Sequence, residues 1–300
     1  MYLPEVEFHE SDSLEEASSL LSKFGADARL LAGGTELLVD LKSGRRSARH
    51  LISLKPISAL RGITLTRDGL RIGALTTLSV LDRHREVRRL FPAIHDATSQ
   101  MAAVQIRNMA TVGGNVVCAV PCADLPPVLG VLGASVTAWS PRGERVIPIE
   151  SFFVGVRRTV LKNEEILASV WVPLSPRSGD MGHPGFGAAY ARFSLREGNS
   201  VAVAAIAASM RLEADGSIGD ARIALGAVSP TPKLVASARE ALVGRQPSDR
   251  VFAEASAAAM EQCEPISDVR GSASFRREIV GVLTQRALST ALRRARENMA

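Results

Sequence analysis

The sequence predicts an α+β protein with a larger amino-terminal domain, residues 1–175, and a smaller carboxy-terminal domain, residues 176–300. Short apolar strands and helical periodicities alternate through the first part. The segment 175–187 is rich in glycine, proline and serine, and its apolar residues follow neither the helical nor the strand period. We therefore place the domain boundary there. In the second part, two strands flank the turn at 214–217 and two or three helices follow, which indicates a small antiparallel sheet covered by helices.

The first part opens with a predicted amphipathic helix over 13–24, which Ser13 caps and Gly25 ends. An apolar strand over 28–32 then runs directly into Gly33 and Gly34, and a second helix follows. The order is strand, glycine turn, helix. A glycine pair permits positive φ and lets backbone N–H groups approach an anion, because no β-carbon stands in the way.

The remaining elements are predicted from apolar periodicity and from turn residues. A helix over 92–101 leads to a second glycine pair, Gly113 and Gly114, which we interpret as a second glycine turn. Strands are expected at 50–54, 63–66, 69–72, 134–139, 144–149, 166–172, 200–213 and 219–228. Further helices are expected at 37–42, 78–87, 125–133, 234–243, 251–263 and 275–296.

Composition excludes several classes of protein. The net charge is +5, but the arginines lie in scattered pairs without interleaved aromatic residues, so no nucleic-acid partner is expected. The longest apolar stretch, 125–141, is interrupted by prolines and glycines and is shorter than the ~20 residues of a membrane span. The amino terminus lacks the basic and apolar regions of a secretory signal, so we expect a cytoplasmic protein without a membrane span.

Cysteine and histidine usage indicates no metal site and no catalytic residue in this chain. Three cysteines, Cys118, Cys122 and Cys263, are an odd number in a chain without export signals, which argues against a disulfide framework. The five histidines are dispersed and form neither ligand nor triad spacing. Neither glycine pair belongs to a phosphate-binding P-loop or a dinucleotide-binding fingerprint.

Longer segments around the two glycine pairs do match a known pattern. Residues 32–37, Ala-Gly-Gly-Thr-Glu-Leu, and residues 105–115, which end in Thr-Val-Gly-Gly-Asn, together resemble the FAD-binding subunits of the xanthine dehydrogenase and carbon monoxide dehydrogenase family. Further matching segments cover the rest of the chain, namely 72–78, 123–127, 164–167, 190–193 and 270–276. The resemblance implies a two-part FAD-binding domain of the PCMH type, followed by a domain of the carbon monoxide dehydrogenase flavoprotein C-terminal type.

The resemblance also implies which residues hold the FAD. The two glycine loops would wrap the diphosphate, Asp124 would accept a hydrogen bond from a ribose or ribityl hydroxyl, and Met101 would contact the adenine. Leu167 would pack on the isoalloxazine, with Tyr190 close to it, and Arg192 stands where relatives carry lysine. The implied set is Arg29, Leu30, Leu31, Ala32, Gly33, Gly34, Thr35, Glu36, Leu37, Met101, Thr111, Val112, Gly113, Gly114, Asn115, Val117, Asp124, Leu167, Tyr190 and Arg192.

Two of these residues have simpler alternatives. Asp124 precedes an apolar helix, where a carboxylate often caps the helix amino terminus, and Tyr190 is compatible with a plain core position. Both alternatives stay open on the sequence alone.

The implied function is that of an electron-transfer subunit in a heteromeric molybdenum hydroxylase. Electrons would pass from iron–sulfur clusters of a partner subunit through FAD to NAD, a quinone or another acceptor. A large molybdopterin-binding subunit and a small iron–sulfur subunit are the expected partners, assembled as a dimer of heterotrimers. The alternatives are a stand-alone PCMH-type flavin oxidoreductase and a non-catalytic scaffold subunit.

Overall fold

The computed structural model of this protein describes residues 2–174 and 184–299. Within those ranges the chain forms eleven α-helices and fourteen β-strands in four sheets, which confirms the predicted α+β class. Most of the predicted boundary segment, namely residues 175–183, lies outside the described residues. Among the described helices, none combines the length and the apolar character needed to cross a bilayer.

The amino-terminal unit is a three-stranded parallel sheet with two helices. Its order is β1-β3-β2. The predicted start and end of the first helix are confirmed, since the Ser13 hydroxyl accepts from the Glu16 N–H and Gly25 adopts φ +51°. The elements are β1 (Glu7–Glu10), α1 (Leu14–Phe24), β2 (Ala28–Leu31), α2 (Leu37–Lys42) and β3 (His50–Ser53).

The second unit is a five-stranded antiparallel sheet with the order β4-β5-β10-β6-β7, beside a two-stranded ribbon, β8-β9. The last strand of the unit, β10, returns to the middle of the sheet and closes it. The strands are β4 (Ile63–Leu65), β5 (Gly69–Gly73), β6 (Ser135–Ser140), β7 (Gly143–Pro148), β8 (Phe153–Gly155), β9 (Arg158–Thr159) and β10 (Ile166–Pro173).

Six helices lie between β5 and β6. They are α3 (Leu78–Arg83), α4 (Arg85–Leu90), α5 (Pro92–Gln100), α6 (Val104–Met109), α7 (Val112–Val117) and α8 (Leu125–Val131).

Two predictions in this region are wrong. The helix expected over 78–87 is broken, because His84 has extended backbone and separates α3 from α4. The second glycine pair does not form a turn, because the Thr111 hydroxyl accepts from the Gly114 N–H and starts α7 just before the glycines.

The carboxy-terminal part is a four-stranded antiparallel sheet with three helices, which confirms the predicted small antiparallel sheet covered by helices, although only two of its strands were expected. Gly216, at φ +81°, turns the predicted hairpin between β12 and β13. The strand β11 was not among the strands expected from the sequence. The elements are β11 (Phe186–Phe193), β12 (Ala204–Leu212), β13 (Ile218–Gly226), β14 (Lys233–Leu234), α9 (Ala236–Leu242), α10 (Asp249–Gln262) and α11 (Ala273–Glu297).

Both faces of this sheet are covered. Because side chains alternate along a strand, Ala205 and Ala207 of β12 enter the core of the first domain with α8. Ile206 and Ala208 point the other way, into the core formed with α10 and α11. The small alanine side chains allow helices to pack closely on each face, so one apolar core contains residues of both domains and a second core lies under α10 and α11.

An ion pair spans the same interface. Arg294 of α11 donates to both carboxylate oxygens of Asp96 of α5, at 2.6 and 2.9 Å, and also to the Ala188 carbonyl at 2.7 Å. The Tyr190 N–H donates to Asp96 at 3.2 Å. Two-point contacts of this kind fix geometry as well as charge, so helix α11 is held in a defined position over β11.

Helix α11 approaches β11 most closely at Gly187. A β-carbon there would lie 2.1 Å from the Ala291 carbonyl oxygen and 2.5 Å from the Ala295 nitrogen. Both are backbone atoms, so we expect Gly187→Ala to lower the free energy of unfolding by about 1–3 kcal/mol. Gly130→Ala is the matched control, because its β-carbon would meet its nearest neighbour at 3.9 Å and alanine favours the helix. Urea titration of both variants tests this, and equal midpoints would contradict it.

Candidate functional site

A cavity of about 740 Å³ lies where three parts of the chain meet, and its volume falls within the range of cofactor sites. The first part is the glycine loop after β2 with its flanking residues. The second comprises α6, α7 and the segment to Asp124, together with residues 159–165. The third is a loop of the carboxy-terminal domain, at Ser200 and Val201.

The structure brings most of the predicted site residues to this cavity. Those that line it are Arg29, Leu30, Ala32, Gly33, Gly34, Thr35, Glu36, Leu37, Met101, Thr111, Gly114, Asn115, Val117 and Asp124. Those that do not are Leu31, Val112, Gly113, Leu167, Tyr190 and Arg192. Lining residues that the sequence did not indicate include Arg46, Cys118, Cys122, Asn163, Glu165 and Ser200.

The first glycine loop has the geometry of an anion site. Gly34 adopts φ +72°, as a turn immediately after a strand requires. Within the described residues, no protein group accepts a hydrogen bond from the N–H groups of Gly33, Gly34 or Thr35. Consecutive N–H groups of this kind form a concavity that attracts an anion. Gly33 is needed for packing too, since a β-carbon there would lie 2.0 Å from the Met109 carbonyl oxygen.

The two glycines of the second pair also have different roles, one in close packing and the other in lining the cavity. Gly113 donates to the Ala74 carbonyl at 2.8 Å, and a β-carbon on it would lie 2.7 Å from the Ala74 β-carbon. Gly114 lines the cavity, and neither glycine of this pair has positive φ. Beside them the buried Asn115 Oδ1 has no hydrogen-bond partner among the described residues. A buried acceptor without a partner costs free energy, so this atom is suited to a donor from a bound molecule.

Arg157 connects the two loops. It lies at the tip of the β8-β9 ribbon with φ +59°, and its N–H donates to the Ala119 carbonyl at 2.8 Å, just after α7. Its guanidinium donates to Glu36 at 2.7 Å and to Asp40 at 2.5 Å, at the start of α2 and within it. One side chain therefore holds the helix after the first loop against the segment after the second.

The region beside the first loop carries excess positive charge. The Asp40 carboxylate is fully buried and is contacted by Arg45 at 3.1 Å, Arg46 at 3.3 Å and Arg157. A buried carboxylate needs such partners, because desolvation of an unpaired charge is costly. Three guanidiniums nevertheless exceed the charge of Asp40 and Glu36 together. Arg46 also lines the cavity, so its charge reaches the ligand space.

Arg29 extends this positive region along the cavity wall. Burial lowers the pKa of its guanidinium from the ordinary value, and the neighbouring charge of Arg46 lowers it further. The Arg29 guanidinium donates to the Ala26 and Ala28 carbonyls at 2.7 and 2.6 Å. Two guanidiniums that repel each other on one wall favour a bound anion between or beside them.

Asp124 is held by two residues of β11 and does not cap α8. Its carboxylate accepts from the Tyr190 hydroxyl at 2.5 Å and from Arg192 at 3.0 Å, and it makes no capping bond, so the capping alternative is wrong for its side chain. Arg192 also donates to the Ser200 carbonyl at 2.7 Å. Tyr190 and Arg192 thus lie behind two lining residues and position them.

The electrostatics of this trio follow from burial. Burial raises the pKa of Asp124 above its ordinary value, and the Arg192 charge and the Tyr190 hydroxyl oppose that rise. Burial, together with the adjacent Asp124, raises the pKa of Tyr190 well above its ordinary value, so the phenol stays protonated and donates. Leu167 is buried in β10 within the apolar core.

Two cysteines line the cavity as thiols. Burial raises the pKa of Cys118 to about 11, and its Sγ donates to the Asn115 carbonyl at 3.1 Å. Burial likewise raises the pKa of Cys122, with a further contribution from Asp124. Because the thiolate is the reactive form, both cysteines are poor nucleophiles at neutral pH.

Two family models match consecutive parts of this chain. Residues 4–175 match the family described as the FAD binding domain in molybdopterin dehydrogenase. Residues 188–291 match the CO dehydrogenase flavoprotein C-terminal domain.

Relatives of similar length match over nearly the whole chain. The xanthine dehydrogenase FAD-binding subunit of Escherichia coli O157:H7 is 31% identical over 95% of each chain. The carbon monoxide dehydrogenase medium chain of Hydrogenophaga pseudoflava is 32% identical over 97% of this chain and 98% of its own.

Solved structures agree with the same assignment. A chain of carbon monoxide dehydrogenase from Hydrogenophaga pseudoflava superposes with a TM-score of 0.92 at 32% identity, covering 98% of this chain and 99% of its own. A chain of quinoline 2-oxidoreductase from Pseudomonas putida 86 gives 0.90 at 28% identity, covering 99% and 100%. This chain therefore belongs to the FAD-binding, or medium, subunits of the xanthine dehydrogenase and carbon monoxide dehydrogenase family of molybdenum hydroxylases, and it is a subunit of an oxidoreductase.

Proposed function

We propose that this chain holds one FAD in the cavity between its glycine loops and serves as the electron-transfer subunit of a heteromeric molybdenum hydroxylase. Electrons would enter from iron–sulfur clusters of a partner subunit and leave to NAD, a quinone or another acceptor. The observation that carries the proposal is the convergence of N–H groups without a protein acceptor, two arginines and an unpartnered amide oxygen on one cavity.

The cavity suits FAD in its size and in the groups beside the first glycine loop. Its volume of about 740 Å³ is adequate for a large cofactor. The N–H groups at Gly33, Gly34 and Thr35 would bind the diphosphate, whose two negative charges the nearby Arg29 and Arg46 would balance. Asn115 Oδ1 would accept a hydrogen bond from the cofactor, which removes the cost of its burial without a partner.

Different residues would have different roles around the bound cofactor. When bound, FAD would accept electrons singly and release them singly or as a pair. Asp124 would accept from a ribose or ribityl hydroxyl, and its carboxylate is already oriented by Tyr190 and Arg192. Tyr190 and Arg192 would therefore act through Asp124, while the packing of Leu167 on the isoalloxazine rests on the family resemblance alone.

The electron donor must lie on another chain. The sequence has three cysteines, fewer than the four that an iron–sulfur cluster of the usual type requires. We therefore place the iron–sulfur clusters and the molybdopterin on partner subunits, one small and one large, and propose a dimer of heterotrimers in the cytoplasm. The name of the Hydrogenophaga relative, a medium chain, supports a complex of several chains.

We expect one FAD per chain, bound without a covalent link. A link through sulfur would need a thiolate, and the raised pKa of about 11 leaves Cys118 protonated. Precipitation of the flavin-loaded chain with acid should release all yellow cofactor into the supernatant. Cys118→Ser serves as the control and should bind and release the same amount. Colour retained in the wild-type pellet would refute the claim.

We expect Arg157→Leu to weaken FAD binding without unfolding the chain. The loss of its bonds to Glu36 and Asp40 frees α2 and the first glycine loop from the segment after α7. The dissociation constant for FAD should rise about tenfold or more, because a hydrogen bond to a charged group contributes about 1.5–3 kcal/mol. Arg158→Leu is the matched control, since Arg158 is exposed. Fluorescence titration with FAD measures both, and equal affinities would contradict the role of Arg157.

We expect substrates to reduce the flavin only in the complete complex. The isolated, FAD-loaded chain should bleach anaerobically with dithionite but not with xanthine, quinoline or carbon monoxide. Direct oxidation of an organic substrate would need a general base, and the Asp124 carboxylate is already committed to Tyr190 and Arg192. The complex, isolated by an affinity tag on this chain, should be bleached by its own substrate. Bleaching of the isolated chain by an organic substrate would favour the stand-alone oxidoreductase, and failure to bind FAD would favour a scaffold.

A further inference from the structure

Glu7, His9 and His50 converge on one face of the amino-terminal parallel sheet. Glu7 and His9 are two residues apart on β1, so their side chains point to the same face. The strand register sets His50 of β3 directly beside Glu7. His9 and His50 are far apart in the sequence, which is why histidine spacing gave no ligand pattern.

The donor atoms of these side chains are spaced as in a metal site. His9 Nε2 lies 3.1 Å from His50 Nδ1 and 3.7 Å from Glu7 Oε1, and His50 Nδ1 lies 3.3 Å from Glu7 Oε2. Tetrahedral zinc with bonds of about 2.0–2.1 Å holds its ligand atoms roughly 3.3–3.4 Å apart. The separations in this cluster bracket that value, so an ion would need only small movements of the side chains.

The two imidazoles are already held in place. The Phe24 ring stacks on His50 with centroids 3.7 Å apart at 12°, and on His9 at 5.1 Å and 28°. The histidine side chains are 17% and 18% exposed, whereas Glu7 is 65% exposed. Ring rotation is therefore restricted before an ion binds, while the carboxylate side stays open for a water ligand.

We propose that Glu7, His9 and His50 bind a divalent transition ion of the Zn²⁺ type and thereby link β1 to β3. Two imidazoles and one carboxylate form a donor set that suits such ions and leaves a fourth position open. Hard ions such as Mg²⁺ and Ca²⁺ prefer oxygen ligands and are not expected. The link would fix a four-residue edge strand that is otherwise mostly exposed.

This site is separate from the FAD cavity. None of its three residues lines that cavity. His50 pairs with Ala28, which lines the cavity, but the glycine loop leaves the last residue of β2, three residues further along the strand. The three proposed ligands can therefore be substituted without removing a residue of the cavity lining.

Calorimetric titration of the EDTA-treated full chain with Zn²⁺ tests the proposal. We expect one ion with a dissociation constant in the micromolar range or tighter, and a loss of about tenfold or more in His9→Gln, His50→Gln and Glu7→Gln. His95→Gln is the matched control, because His95 lies 2.9 Å from the Asp82 carboxylate but, among the residues that the structure describes, belongs to no group of three metal-ligating side chains. Zn²⁺ should also raise the Tm of the wild type but not that of His50→Gln.

Flavin content monitors folding in the variants at Glu7, His9, His50 and His95 and should equal that of the wild type. Absence of Zn²⁺ binding by the wild-type chain would overturn the proposal. So would unchanged affinity in His50→Gln, or binding that is lost in Cys122→Ser instead, since either result would locate the ion elsewhere.

Discussion

Each glycine pair has one member that packs against backbone so closely that no side chain could intervene. Gly33 meets the Met109 carbonyl and Gly113 meets Ala74. The first contact fixes the end of β2 against α6, and the second fixes α7 against the end of β5, while the other glycines, Gly34 and Gly114, line the cavity. These two contacts therefore help to form the cavity, and the N–H groups of the first loop are oriented before any ligand arrives.

Buried carboxylates around the cavity are held by arginines from distant segments. Asp40 is contacted by Arg157 from the β8-β9 ribbon, and Asp124 by Arg192 from the carboxy-terminal sheet. In each case the arginine also donates to a second group that lines the cavity, Glu36 or the Ser200 carbonyl. Charge compensation and the geometry of the site are thus achieved by the same side chains, and neither is local in sequence.

Local signals in the sequence were sufficient for much of the fold. The Ser13 cap, the Gly25 stop and the hairpin at Gly216 each depend on a few consecutive residues, and the structure contains all three. The break at His84 was not predictable in this way, because the apolar spacing continues through it. The helical start at Thr111 was also missed, since a threonine before two glycines is compatible with a turn or with a cap.

Only part of the cavity lining could be predicted from the sequence. The glycine loops form a recognisable pattern. The predicted residues that line the cavity lie within or next to the segments that match it. Arg157, Ser200 and the His9–His50 pair depend on contacts between segments that are far apart along the chain. No period or motif encodes such contacts, so they become evident only once the strands are paired and the ribbon is in place.

The alanine-rich strand β12 is covered on both faces, and this arrangement bears on whether the two domains could be separated. Separation of the two homology domains would expose the face that carries Ala205 and Ala207 to water, and would leave α8 of the first domain without its neighbour. Each piece would then present an exposed apolar face, which an independent domain normally lacks. The two domains therefore depend on each other through this face, and α8, which packs on it, begins directly after the cavity residue Asp124.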